Sequence, residues 1–112
     1  MSRRHESAVE LVTKTVERRF GLRKEGSAQI YATLLKEIPA VQLEGTYYHI
    51  YVFIQAAKLA ETRPELFSDK NVRQAIVTEG KRYKTMEAMI RAAGYFPSED
   101  EQLADRILKS NR

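Results

Sequence analysis

Positive side chains recur through residues 81–94, KRYKTMEAMIRAAG, at spacings that suit one flank of a helix. Arg73, Lys84 and Arg91 are separated by 11 and 7 residues, and Lys81 lies one turn before Lys84. Since an α-helix has about 3.6 residues per turn, these positions share a side. Lysine and arginine hold nucleic-acid phosphates by releasing counterions, without reading base edges. The spacing therefore predicts a stripe that binds a nucleic-acid backbone.

The same stretch carries apolar residues on a different side. Tyr83, Met86 and Ile90 follow one another at intervals of three and four residues, which predicts that they face the core. Gly94 suits the position after the last helical residue, where glycine is common. We therefore expect one helix that buries its apolar side and turns its cations outward.

A second group of cations lies near the N-terminus. Arg4, Lys14 and Arg18 fall on the side away from a valine stripe, and further cations follow them. If this helix packs beside the later one, the two groups would form one trough for phosphates. The alternative is that both are the hydrated faces of core helices. The predicted nucleic-acid-binding residues are Arg4, Lys14, Arg18, Arg19, Arg23, Lys24, Arg73, Lys81, Arg82, Lys84 and Arg91.

Four tyrosines lie between these charges in the sequence: Tyr47, Tyr48, Tyr51 and Tyr83. Aromatic rings stack on unpaired bases in proteins that bind single strands. Tyrosines at helical spacing are more often part of the core. Both interpretations stay open at the level of the sequence.

Catalytic and metal-binding chemistry finds little support in the sequence. The chain has no cysteine, which excludes disulfides, thiolate zinc sites and cysteine nucleophiles. His5 and His49 are the only histidines, and neither has a second ligand one helical turn away. His49 is better explained as a partly buried ring in an aromatic helix. Since no Gly-rich phosphate loop or nucleophile motif occurs either, we expect a non-enzymatic protein without a cofactor or metal.

Length and composition fit one soluble domain spanning residues 1–112. Of the 112 residues, 43% are hydrophobic and 30% charged, and the net charge is +4. A basic balance agrees with an acidic partner such as nucleic acid. No run of about 18 uncharged apolar residues occurs, and the N-terminus lacks the apolar core of a signal peptide. We expect a cytoplasmic protein with no membrane contact.

Helical periodicity dominates the first half of the chain. Valines and a phenylalanine spaced by three and four residues predict a helix over residues 4–20. Ser27 is a plausible N-cap for a second helix, which Pro39 stops. Residues 46–54 suit a strand by composition, but the breaker-free length to Glu61 favours one buried helix.

The second half predicts two or three more helices. Pro64 forces a break, and Ser68 and Asp69 can cap a helix that Gly80 interrupts or bends. After Pro97, a capping pattern at residues 98–101 and the apolar Leu103, Ile107 and Leu108 predict a last short helix. The fold class predicted from these patterns is all-α, a compact bundle of five or six helices.

Short segments resemble the small α-helical subunit of type III CRISPR effector complexes. They are YATLLKEIP at residues 31–39 within the second helix, Gly45 with the helix reaching VFI at residues 52–54, and YKTMEA at residues 83–88. The acidic start of the last helix departs from that family. The resemblance implies a non-catalytic subunit that stacks beside a guide RNA and its target and holds their backbone with basic faces.

The preferred hypothesis is a backbone-binding protein for RNA or single-stranded DNA that works with other protein subunits, and a homo-oligomer is possible. An alternative is a protein-interaction module, such as a phage or plasmid adaptor or inhibitor, docking through Tyr47, Tyr48 and Tyr51. A third reading is a helix-turn-helix DNA-binding regulator. Acidic residues 99–101 oppose it, because they would open the recognition helix.

Overall fold

The computed structural model describes residues 3–41 and 45–93, without the side chains at positions 45, 46 and 91. The described residues form four α-helices and one short 3-10 turn, and no strand occurs among them. In chain order they are α1 (Arg3–Phe20), α2 (Lys24–Glu37), α3 (Gly45–Thr62), the 3-10 turn (Pro64–Leu66) and α4 (Lys70–Ala92).

The all-α class is confirmed, and within the described ranges the bundle has four α-helices rather than five or six. One reason is that α4 runs unbroken through Gly80, where an interruption was predicted. The weak helix propensity of one glycine is overridden because its neighbours continue the helical bonds and α3 packs directly against it. The other reason is that the predicted helix after Pro97 lies outside the described residues.

Several helix ends follow from local sequence signals. Gly21 adopts a φ of 64°, and the Leu22 N–H donates to the Glu17 carbonyl, 3.1 Å away, which closes α1 as a glycine C-terminus commonly does. At the start of α4 the Asp69 carboxylate accepts from the Asn71 N–H at 2.7 Å. The breaks at Pro39 and Pro64 are confirmed as well.

The prediction of Ser27 as a helix cap is wrong. The turn after Gly21 is short enough that α2 already begins at Lys24, with extended backbone at Arg23. Ser27 therefore lies inside the helix, where its N–H donates to the Arg23 carbonyl at 3.0 Å and its side chain is buried.

The core forms where α3 packs against α4 and α1, and α2 packs mainly against α1. The aromatic segment of residues 46–54 is helical, and nearly all of α3 from Tyr48 to Ala57 is buried. The predicted valine face of α1 is buried too. Phe20 is an exception, since its ring at the last position of α1 is 44% exposed. Periodicity identified the correct side of α1 but not the point at which the core ends.

The same error applies to the end of α4. Met86 was predicted to be buried but is 40% exposed, and Met89 is 67% exposed. Tyr83 and Ile90 are only half-buried. From Lys81 onward no described side chain of α4 is fully buried, because its last turns extend past the part of the core that α1 and α3 cover.

The contact between α3 and α4 is the most extensive between helices of the described residues. Gly80 leaves room for Ala57, whose Cβ would overlap any Cβ added at position 80. One turn away the rings of Phe53 and Tyr83 stack, with centroids 3.8 Å apart and planes 8° from parallel. This contact fixes the register of α4 on α3 and so positions the lysines described below. None of the helices in the described ranges is both long and apolar enough to cross a membrane.

Candidate nucleic-acid interface

A groove of about 480 Å³ runs between α3 and α4 on the outer side of their contact. Its floor is apolar and its rim carries three lysines, one from α3 and two from α4, with one acidic residue. We call it the α3–α4 groove. Its lining residues are Ile54, Ala57, Lys58, Glu61, Thr62, Gly80, Lys81 and Lys84.

The local sequence explains both the floor and the rim. The small residues Ala57 and Gly80 let the two helices approach closely at the floor of the groove, which Ile54 also lines. Lys81 and Lys84 are exposed, and both line the groove from α4. A lysine carries its ammonium on a flexible apolar stem, so the stems can line apolar surface while the charges meet a ligand.

A different pair of cations lies at the seam between α1 and α4. Glu79 is 1% exposed, and its two carboxylate oxygens lie 3.3 Å from Nη1 of Arg19 and 3.4 Å from Nη1 of Arg82. These distances exceed the roughly 2.7–2.9 Å of a tight charge-assisted hydrogen bond. Glu79 therefore holds the two guanidinium groups mainly by charge, and part of their positive charge is neutralised within the protein.

The predicted single trough is divided between two flanks of α4. Arg82 and Lys84 are two residues apart, which is roughly 200° around a helix. Arg82 meets α1 through Glu79, whereas Lys84 lines the α3–α4 groove. Helices α1 and α4 do pack together, as a single trough would require. Lys81 and Lys84, however, lie beside α3 and not beside α1.

Of the other predicted binding residues, some make contacts within the protein and some are exposed on its surface. Lys14 pairs with Glu10 at 3.2 Å on the surface of α1. The Arg73 guanidinium donates to the carbonyls of Phe67 and Ser68, which tethers the turn before α4. The side chain of Arg91 lies outside the described part. The remaining predicted cations are exposed at their positions, namely Arg4, Arg18, Arg23 and Lys24.

The tyrosines belong mostly to the core. Tyr48 and Tyr51 are 1% and 2% exposed, so neither ring is available to a base or a protein partner in this conformation. Tyr83 is half-buried, and one face of its ring stacks on the ring of Phe53. Tyr47 keeps partial exposure. Core packing is therefore the better explanation for this cluster, and the same holds for the half-buried His49.

Lys58 was missed by the sequence reasoning. It lies in the helix-forming end of α3, four residues after Ile54, where no charge run or spacing marks it. Only the antiparallel packing of α3 against α4 brings it to the groove that Lys81 and Lys84 also line. No pattern within one helix carries that information.

A larger cleft, of about 600 Å³, lies between the α1–α2 turn and the start of α4. Arg23 lines it together with the acidic Glu25 and Asp69, and the exposed ring of Phe20 forms one side. Mixed charges around this cleft favour an anionic backbone less than the lysine rim does. Among the described residues no group of three or more histidine, cysteine or carboxylate side chains could hold a metal ion.

Buried titratable groups cluster where the N-terminal part of α1 meets α3. His5 is 2% exposed, its Nδ1 shares a hydrogen bond with the Tyr48 hydroxyl, and Tyr48 packs edge-on against Tyr51. The Tyr51 hydroxyl donates to the Pro39 carbonyl at 2.7 Å. This network ties α1 and the segment that follows α2 to α3, and no pattern in the sequence indicated it.

Burial controls the ionisation of this cluster. It lowers the pKa of His5, and the backbone of Ile38 and the charge of Glu6 offset only part of that effect. Burial likewise raises the pKa of Tyr48, against the backbone of Val41 and the charge of Arg4. The pKa of Tyr51 is raised by burial and by its neighbour Tyr48. All three groups are thus held neutral near pH 7.

We expect His5 to make the fold less stable in mild acid. Its pKa is lowered on folding, so below about pH 6.5 the unfolded chain binds a proton that the folded chain does not. The contribution of His5 to the free energy of unfolding is fully present above that pH. It is lost as the pH falls toward the pKa of His5 in the folded chain. The slope reaches at most about 1.4 kcal/mol per pH unit. Urea unfolding between pH 7.5 and 5 measures it.

The matched variants are His5→Asn and His49→Asn. The first is expected to flatten the slope between pH 6.5 and 5, whatever its effect on stability at pH 7, while the second keeps it. An unchanged slope in His5→Asn would assign the acid sensitivity to groups other than His5.

Comparisons with known proteins give no relative: no family model, no curated protein and no solved structure matches the chain.

Proposed function

We propose that this chain is a non-catalytic protein that binds the backbone of RNA or single-stranded DNA in the α3–α4 groove. The supporting observation is the convergence of Lys58, Lys81 and Lys84, from two helices, over one apolar floor. Phosphates would meet the ammonium groups, and sugars or unpaired bases would cover the apolar floor.

The shape of the groove favours a single strand over a duplex. A single strand can bend into a concavity of about 480 Å³ and turn its bases toward apolar surface. In a duplex the bases are stacked inside, so the floor formed by Ile54 and Ala57 would gain little. Arg19 and Arg82 contribute less, because Glu79 already engages them.

The resemblance to the small subunit of type III CRISPR effector complexes suggests the setting for this binding. In that setting the chain would be one subunit of a cytoplasmic nucleoprotein assembly, lying beside a guide RNA and holding its backbone. The resemblance remains a prediction, and the groove supports backbone binding independently of it.

A second candidate is a protein-interaction module, and the apolar floor favours it. A groove between two helices with cations at its rim also suits an amphipathic acidic helix. Such a partner would dock on the α3–α4 groove, since Tyr48 and Tyr51 are buried. The helix-turn-helix reading depends on residues beyond Ala93, which lie outside the described part.

The test is binding of a labelled oligonucleotide of about 30 nucleotides, single-stranded and duplex, across a salt series. The variant Lys81→Glu/Lys84→Glu reverses two charges and is expected to weaken single-strand binding whatever the nucleotide sequence. The slope of the logarithm of the binding constant against the logarithm of salt concentration is expected to fall in magnitude by about 2. The matched control is Lys36→Glu/Lys70→Glu, which changes the net charge equally at exposed positions away from the groove.

The control is expected to bind nearly as the wild type does. Equal losses in both variants would mean that net charge alone attracts the strand. Absence of binding by the wild type near 50 mM salt, where backbone contacts are strong, would remove the proposal for the isolated chain and favour the protein-partner candidate.

A further inference from the structure

Two arginines from different helices meet at the seam between α1 and α4, outside the α3–α4 groove. Arg19 lies in the last turn of α1 and Arg82 lies in α4, and both contact the carboxylate of Glu79. The arginine side chains are 51% and 53% exposed, whereas the glutamate side chain is 1% exposed. A buried carboxylate therefore holds two guanidinium groups together at the surface. We call Arg19 and Arg82 the arginine clamp.

Glu79 uses little of the hydrogen-bonding capacity of the arginine clamp. Arg82 donates one long hydrogen bond of 3.4 Å to Oε2, and Oε1, 3.3 Å from Nη1 of Arg19, accepts none from the described residues. Neither guanidinium makes another hydrogen bond or ion pair within residues 3–41 and 45–93. An arginine presents several N–H donors in a planar fork that matches the oxygens of a carboxylate or phosphate. Within the described part of the chain, most of these donors are therefore left for a ligand.

We propose that the arginine clamp binds a dianionic phosphate group, with each guanidinium donating to a different phosphate oxygen. On the protein side a carboxylate already bridges the two guanidinium groups, and phosphate oxygens can bridge them in the same way from the solvent side. The proposal does not depend on strand binding in the α3–α4 groove, because Lys84 lines that groove roughly 200° around α4 from Arg82.

Charge favours a terminal or free phosphate over a phosphate inside a nucleic-acid chain. The carboxylate of Glu79 offsets half of the positive charge of the arginine clamp. Coulomb energy scales with the charge of the ligand, so a phosphate with about two negative charges is attracted roughly twice as strongly as a singly charged backbone diester. A terminal phosphate also presents three acceptor oxygens. Two sources supply such a group: the phosphorylated 5′ end of a strand and free phosphate.

Nuclear magnetic resonance of the arginine Nε–H groups tests the site in the full chain. Titration with inorganic phosphate at constant ionic strength is expected to shift the signals of Arg19 and Arg82 along a saturating curve. The signals of Arg18 and Arg23, which are exposed but lie outside the clamp, are expected to shift little. Equal or non-saturating shifts at all four arginines would overturn the proposal, because they would report only general ion screening.

A lysine variant separates the geometry of the arginine clamp from its charge. Arg19→Lys/Arg82→Lys keeps two positive charges beside Glu79, so we expect it to remain folded. Because it removes the planar forks, it is expected to bind phosphate about tenfold more weakly, as calorimetric titration would measure. An affinity equal to that of the wild type would reduce the site to charge attraction alone and would contradict the proposal.

A second variant removes the arginine clamp together with the carboxylate that requires it. In Arg19→Met/Glu79→Met/Arg82→Met no charge remains buried, and saturable phosphate binding is expected to disappear. The matched control is Lys36→Met, which lowers the net charge by the same amount at an exposed position and is expected to bind phosphate as the wild type does. Unchanged affinity in the triple variant would place the phosphate elsewhere on the protein.

Two forms of one short oligonucleotide distinguish the sources of the phosphate. If the clamp takes a strand end, the 5′-phosphorylated form binds more tightly than the 5′-hydroxyl form, and the triple variant removes that difference. If it takes free phosphate, the two forms bind equally while inorganic phosphate still saturates the clamp. Lys81→Glu/Lys84→Glu, which tests the α3–α4 groove, is expected to leave binding of inorganic phosphate nearly unchanged, so that failure of one proposal does not imply failure of the other.

Discussion

Replacing Gly80 by alanine is expected to destabilise the fold by roughly 3 kcal/mol, although alanine is the better helix former. An added Cβ would overlap the Cβ of Ala57 and lie 3.1 Å from the Phe53 carbonyl oxygen. Neither atom is at the end of a flexible side chain, so α3 and α4 would have to move apart. That movement would also disturb the ring stacking of Phe53 on Tyr83. The urea dependence of helical circular dichroism measures the loss.

Gly26→Ala is the matched control, because an added Cβ at this position in α2 meets nothing within 4 Å. It is expected to raise stability by about 0.5–1 kcal/mol through helix propensity alone. In the Gly80→Ala background, Ala57→Gly should recover part of the loss by restoring space between the helices. If Gly80→Ala proved as stable as Gly26→Ala, the close approach of α3 and α4 would be wrong.

Removing both arginines that contact Glu79 is expected to cost about 3–5 kcal/mol, whereas replacing Glu79 itself should change stability by only about 1 kcal/mol. The asymmetry follows from burial. Glu79 is 1% exposed, but the side chains of Arg19 and Arg82 are 51% and 53% exposed. Without the arginines a carboxylate remains buried with no counter-charge, while without Glu79 the arginines keep their contact with water.

The variants for this comparison are Arg19→Met/Arg82→Met and Glu79→Met, measured by urea unfolding at pH 7. Adding Glu79→Met to the double arginine variant is expected to restore most of the lost stability. A control that removes two exposed positive charges elsewhere is Arg18→Met/Arg23→Met, for which little change is expected. Equal costs for Glu79→Met and the double arginine variant would falsify the assignment of Glu79 as the buried charge that requires partners.

The elements of this fold could be predicted because their signals are local. The valine stripe of α1, the glycine after Phe20 and the break at Pro64 each depend on residues within about one helical turn. Ser27 misled the prediction for a related reason. A serine signals a cap only through its own type, while the start of α2 was set by how soon the chain could turn after Gly21.

Part of the candidate site was also within reach of the sequence. The spacing of Lys81 and Lys84 placed them on one flank of α4, and the structure agrees. It could not show that this flank adjoins α3, that Lys58 joins them, or that Arg82 turns toward α1. Those facts depend on how two helices pack, and the packing is decided by side chains distant in the sequence.

By itself, the sequence determined the helical class, most helix boundaries, and which side of each helix is apolar, since periodicity and turn residues act over a few positions. Only the tertiary structure decided how far the core extends. It left Phe20 and Met86 exposed and buried Glu79, because burial depends on which helices reach a given turn. It also decided that Lys58, Lys81 and Lys84 line one groove. The absence of a Cβ at Gly80 lets α4 approach Ala57, so side chains from the two helices come together there.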